Sequence, residues 1–133
     1  MSIEKSTFIT LTKIDHIIFK TNIYDAVYKR KPQEKISDHH SCRLGVWYEH
    51  GKGKEQFGTT KGYESIVAPH ERVHNAAMDV MKTFGEEERN LILYKEDILK
   101  QFTNMEESSK ELFTIMDEML REAVSDAHKV VKQ

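Results

Sequence analysis

The chain has 133 residues, 38% of them hydrophobic, and its 20 basic and 22 acidic side chains leave a formal net charge of -2. That is the size of one domain with enough apolar material for a core of its own, and a single cysteine excludes an intrachain disulfide. The balanced charge disfavours a nucleic-acid binder. No apolar run approaches the roughly 18 residues of a membrane helix, and Met1 to Thr10 lacks the basic stretch and cleavage site of a signal peptide, which places the chain in a reducing cytoplasm.

From Ser6 to Lys31, the residues Phe8, Leu11, Ile14, Ile18, Tyr24, Val27 and Tyr28 recur at steps of three and four, which predicts an amphipathic helix ended by Pro32. Residues 33–68 hold five of the six glycines and read as a short helix around Cys42 to Glu49, then an irregular connection through Gly51-Lys52-Gly53 to Tyr63. A third helix is predicted to start at Pro69, where a missing N–H costs no intrahelical bond, and to stop near Gly85. Beyond Gly85 there is no Gly or Pro, and Ile98, Phe102, Met105, Ser109, Leu112, Met116, Met119 and Ala123 form a heptad-like seam. Such a seam suits a dimer-forming or signal-transmitting helix, and it equally suits the inner face of an antiparallel bundle, the reading we prefer. As one helix from Glu86 to Val131 it would be about 65 Å long against about 40 Å for the first, so a break or an overhang is expected. Asn104 with Glu107 marks where a capping box would break it. The fold class is all-α, a four-helix-bundle-like single domain with a long C-terminal helix that ends in a polar extension, Arg121 to Gln133.

The densest chemistry is His70-Glu71-Arg72-Val73-His74, because imidazoles four residues apart share one helix face and can hold one divalent ion. The segment spells the H-E-x-x-H of zinc proteases, in which Glu71 would be the general base. That reading also needs a substrate cleft beside an edge strand, and no strand pattern is evident. Cys42 adds the other ligand type that zinc prefers, and His16, preceded by Asp15, can complete a closed tetrahedral set of three imidazoles and one thiolate. Four protein ligands leave no position for a catalytic water. Taken singly, each member has a bland alternative as a buried or surface side chain.

Four segments carry a family resemblance: Asp15-His16-Ile17-Ile18-Phe19-Lys20, Cys42-Arg43-Leu44-Gly45-Val46-Trp47-Tyr48, Pro69-His70-Glu71-Arg72-Val73-His74 and Met105-Glu106-Glu107-Ser108-Ser109. In order and spacing, over about residues 8 to 120, they resemble the bacterial chemoreceptor zinc-binding domain. The resemblance implies an all-helical bundle that holds Zn2+ through His16, Cys42, His70 and His74, with Glu71 at a variable position. It also implies zinc sensing, or sensing of hypochlorous acid through a redox-sensitive Cys42. Family members stand alone or accompany chemoreceptors and diguanylate cyclases, so the expected partner is a signalling domain in cis or in trans.

A sensor is also sensible on chemical grounds. Zinc needs a thiolate and neutral imidazoles, so occupancy couples to pH, free metal and helix packing, and an oxidised sulfur binds zinc poorly. Asp15 is a candidate for orienting a ligand or competing for the metal once Cys42 is oxidised; Trp47 reads as a core anchor, and Gly45 lets the segment pack closely. His39 and His40 could tune the thiolate or compete for metal, but paired loop histidines read more simply as solvent-facing, and His50 and His128 read as surface. The expected role is therefore a non-enzymatic, cytoplasmic zinc-binding sensor of chemotaxis or second-messenger control, a homodimer through the C-terminal helix, with no nucleic-acid partner and no membrane insertion. The alternatives are a small zinc hydrolase using Glu71 and, less well matched because of Cys42, a di-iron bundle.

Overall fold

Of the two longest apolar stripes in the sequence, the one on the C-terminal helix turns inward and the one on the first helix does so only toward its ends. The computed structural model describes the backbone of residues 2–29, 31, 36–86 and 91–132, and the side chains of 4–29, 31, 36–83 and 95–125. Its elements are α1 (Ser2–Tyr28), α2 (Arg43–His50), α3 (Gly53–Phe57), α4 (Gly62–Ser65), α5 (Val67–Glu86) and α6 (Leu91–Lys132), with no strand among the described residues. α5 lies along α6 in the most extensive pairing, α1 packs against both, and the short α2–α4 close the remaining side. The fold is thus an all-α bundle with a long C-terminal helix.

α6 is continuous. Its seam residues Ile98, Met105, Ser109, Leu112, Met116, Met119 and Ala123 are all buried, and Phe102 packs beside them. The helix does not break at Asn104, whose amide reaches Gln101 Oε1 at 3.5 Å rather than capping a new helix. Among the described side chains the last buried core residue is Ala123, and the helix backbone runs on to Lys132. α1 and α5 are tied to it by ion pairs at the surface. Lys13 joins Asp117, Lys20 Nζ lies 2.8 Å from Glu106 Oε1, and Arg72 reaches Glu111 at 2.5 Å.

α1 corrects part of the predicted face: Phe8, Tyr24 and Val27 pack against the core, and the middle of the stripe turns outward. Leu11, Ile14, Ile17 and Ile18 are 42–53% exposed, and Tyr28 is exposed too. The inward face is Ile9, Thr12, His16, Ile23 and Ala26. Hydrophobicity alone hides that face because it carries a hydroxyl and an imidazole at its centre. Thr12 Oγ1 donates to the Phe8 carbonyl at 2.8 Å, and His16 Nδ1 lies 3.0 Å from the Thr12 carbonyl, which leaves its Nε2 to be accounted for. The helix closes with Lys29 N–H donated to Asp25 and Lys31 N–H to Ala26, both at 2.9 Å; Pro32, the predicted stop, lies outside the described residues.

Two other predicted boundaries move. α5 begins at Val67, so Pro69 sits two residues inside it, still within the first turn where its missing N–H is harmless. The predicted irregular connection from Gly51 to Tyr63 contains α3 and α4, two single turns that bring Phe57 and Ile66 into the core.

The core is in two parts. One cluster is built on Ile9, Leu44, Trp47, Phe57, Ile66, Leu112 and Met116, the other on Ile23, Val73, Ala77, Val80, Ile98 and Met105. Along each long helix a polar level separates them: His16 falls between Ile9 and Ile23, His70 between Ile66 and Val73, and the buried Ser108 and Ser109 between Met105 and Leu112. A polar layer inside a small domain is costly unless its groups find partners.

Candidate metal centre

That layer is where His16, Cys42, His70 and His74 meet. One ligand atom from each lies within 4.8 Å of all the others, and His16, His70 and His74 are buried. Each arrives from a rigid element. α1 presents His16 on its inner face, and α5 presents His70 and His74 one turn apart. Cys42 is the N-cap of α2, and its Sγ lies 3.0 Å from His70 Nε2.

The imidazoles are oriented for a metal. His16 Nδ1 faces the Thr12 carbonyl, and His74 Nδ1 faces the Ser37 carbonyl at 2.7 Å. A carbonyl accepts only, so each Nδ1 carries the proton and each Nε2 presents a lone pair. His16 Nε2 and His74 Nε2 are buried and have no hydrogen-bond partner among the described residues. Two orphaned lone pairs aimed at a thiol and a third imidazole are expensive in a dry interior and natural around a divalent cation. Zinc with bonds of about 2.0–2.3 Å fits among these four atoms after a small contraction of the cluster.

Electrostatics agree. Burial lowers the His16 pKa, takes His74 down to about 4 against the opposing pull of Ser37, and pushes His70 far down, with the neighbouring His16 and His74 adding to it. The three rings are therefore neutral at physiological pH, as metal ligands must be. Burial raises the Cys42 thiol, while the backbone amides of Gly45 and Leu44 at the start of α2 pull it the other way.

Residues 16–81 match the family description of the chemoreceptor zinc-binding domain. The chain belongs to this family. No curated protein and no solved structure matches it. The chemoreceptor zinc-binding match takes in all four converging side chains and ends before the Met105 to Ser109 segment, whose Ser108 and Ser109 nonetheless complete the buried polar level. The domain is a zinc-binding one, and the His16, Cys42, His70 and His74 cluster has the composition and closeness to hold the ion.

Other sequence candidates fall into place around it. Asp15 turns toward Arg43, Oδ2 to Nε 3.0 Å, so the acid beside one ligand is held by the base beside another. Glu71 is half exposed, and its carboxylate lies 3.8 Å from His39 Nε2. His39, read from sequence as solvent-facing, is instead largely covered, its ring 4.0 Å from that of His40 and 5.7 Å from that of His70. His40 is exposed and paired with Glu49, whose other oxygen is 3.7 Å from the exposed His50. The His128 side chain lies outside the described residues. The Ser37 carbonyl, which fixes the His74 tautomer, carries no signal in sequence because any residue supplies one.

Trp47 anchors the Cys42 segment, stacked on Phe8 at 4.3 Å and donating from Nε1 to Gln56 Oε1 at 3.3 Å. Gly45 is required by space: a Cβ there would lie 2.0 Å from the His39 carbonyl oxygen and 2.8 Å from the His40 carbonyl carbon. Those are backbone atoms of the turn that delivers Cys42 and cannot swing aside. Gly45→Ala is expected to lower stability by about 1–3 kcal/mol and to weaken zinc binding, measured as denaturation midpoint and by chelator competition. An unchanged pair of values would mean that the turn is not fixed by this contact.

Proposed function

We propose that the protein is a zinc-dependent sensory module of bacterial signal transduction, in which His16, Cys42, His70 and His74 hold one zinc ion and Cys42 is the redox-sensitive ligand. The observation that carries this reading is the pair of buried, orphaned Nε2 atoms facing a thiol. Bound zinc keeps the sulfur in its thiolate form and ties α1, α2 and α5 together. Hypochlorous acid reacting at that sulfur transfers its oxygen, RS⁻ + HOCl → RSOH + Cl⁻, and the sulfenic acid is a poor ligand. A cavity of about 240 Å³ lined by Asp15, His16, Phe19, Cys42, Arg43 and His74 gives a small neutral oxidant a way to it.

No catalysis is assigned. Four protein ligands occupy the coordination sphere of this reading, and Glu71 faces His39 at the surface. The cytoplasmic setting follows from the need for a reduced thiol, and among the described residues no helix is long and apolar enough to cross a membrane. The output passes to a signalling domain in cis or in trans, or to a second copy of the chain. The α6 seam is buried within the domain, so a second copy would meet the exposed Leu11, Ile14, Ile17 and Ile18 of α1, the helix that also carries His16.

The test is elemental analysis of untagged protein. One zinc per chain is expected, retained in Glu71→Gln, weakened in Cys42→Ala and released by stoichiometric hypochlorous acid. A zinc that ignores both Cys42 and the oxidant removes the redox part, and loss of a hydrolytic activity in Glu71→Gln would revive the enzyme reading. Sedimentation equilibrium on the same samples reports the second copy, and a monomer in every metal state removes it.

A further inference from the structure

The buried ligands pose a problem of access. His16, His70 and His74 are 0–4% exposed, so a hydrated dication must exchange its water for protein donors before it reaches them. We infer that His39, His40, Glu49 and Glu71 form an entry path that captures a divalent cation at the surface and passes it to His70. The inference rests on the reading that the inner cluster holds zinc.

A small cavity of about 60 Å³ runs between α2 and the start of α5, and His39, His40, Glu49 and His70 are among the residues that line it. Its donors are graded in depth. Outermost are His40, His50, Glu49 and Glu71, with Glu49 between the first two imidazoles. Next comes His39, largely covered and 3.8 Å from the Glu71 carboxylate, then His70, whose Nε2 lies 3.0 Å from Cys42 Sγ. Imidazole and carboxylate are the zinc ligands other than thiolate, so each step offers a donor to replace a departing water, His40 once it gives up the proton it shares with Glu49. The steps are fixed in place. Asp38 Oδ1 accepts from His40 N–H, Ser41 N–H and Ser41 Oγ at 2.9–3.0 Å, which rigidifies the turn carrying both histidines.

The path transmits rather than stores. Among the described residues the only group whose ligand atoms converge is the inner one. Charge also selects this side. Two carboxylates stand along the path, and none of the residues lining its cavity is Lys or Arg. At the larger opening, the single carboxylate is Asp15, already neutralised by the Arg43 guanidinium, which repels a dication.

The experiment uses the full metal-free chain and zinc alone, with uptake and chelator-driven release followed by stopped flow and affinity by equilibrium competition. Wild-type stoichiometry, read first, tests the zinc-site reading separately; wild-type protein that takes up no zinc overturns both. In His39→Gln/His40→Gln, uptake and release should each slow by about tenfold while equilibrium affinity stays the same, because a path lowers the barrier equally in both directions. Glu49→Gln, at an exposed position, should show a smaller slowing of the same kind. Unchanged rates overturn the path, as does weaker affinity through faster release, which would make these residues supports of the resident ion. Slower uptake in Asp15→Asn with normal rates in the histidine variant would place the entrance at the other opening.

Discussion

His74→Ala is expected to abolish stoichiometric zinc binding and, with it, the response of the domain's stability to chelators. His74 is completely buried, its Nδ1 holds the Ser37 carbonyl and its ring packs at 4.5 Å on Phe19, so no other residue can take its place. Losing an outer-sphere partner typically costs about 10–100-fold in metal affinity, and losing a ligand costs more. A ligand present at about a thousand times its dissociation constant stabilises the folded state by about 4 kcal/mol. For a chain of this size that is a shift of about 10 °C or more in melting temperature. Wild-type protein should therefore melt much lower with chelator, whereas His74→Ala should melt at one low temperature with or without zinc. A variant that still purifies with one zinc per chain would show that His74 is not a ligand.

The second expectation concerns protons. Zinc uptake by the metal-free domain at pH 7 should release one proton per ion, and the affinity should fall about tenfold for each pH unit of acidification. Burial raises the Cys42 thiol, so the sulfur is protonated at pH 7 and must ionise to bind. Burial lowers His16, His70 and His74 below the ordinary histidine value, so the rings are already neutral at pH 7 and contribute no further proton there. Titration calorimetry in two buffers of different ionisation enthalpy gives the proton count directly. Three or four protons would mean that the free site holds charged imidazoles. The same shifts fix the acid stability of the metal-free fold. Below the ordinary histidine value of about 6.5 the unfolded chain binds protons that the buried rings refuse. Stability therefore falls as pH drops from 6.5 toward the folded values, by up to about 1.4 kcal/mol per unit for each histidine. Cys42 acts at the other end, where the unfolded thiol ionises before the folded one, so stability also declines as pH rises past 9.

The converging side chains were legible in the sequence because their chemistry is local: two imidazoles one helical turn apart, and one thiol at the head of a short helix. The inward seam of α6 was legible because its steps of three and four run from Ile98 through Ala123 with only the small Ser109 departing from apolar character. α1 misled for the same reason that it matters. Its inner face is defined by His16 and Thr12, so the polar residues that build the site lower the signal that would have marked the face as buried. His39 was misread because its cover comes from α5, remote in sequence, and α3 and α4 are single turns too short to show a period. The Asp15 to Arg43 pair likewise joins residues that no spacing rule relates.

The polar level through the middle of the bundle also bears on how the domain comes apart. Each apolar cluster alone is about half a core, and α1 and α6 contribute to both, with the polar level between them. With the metal in place, opening one end must strain bonds to His16 on one helix and His70 and His74 on another, so amide hydrogens in both halves should exchange with solvent as a single cooperative unit. Without it, the end formed by α2, α3 and α4 is free to fray on its own. The site therefore decides whether this chain behaves as one folding unit or two.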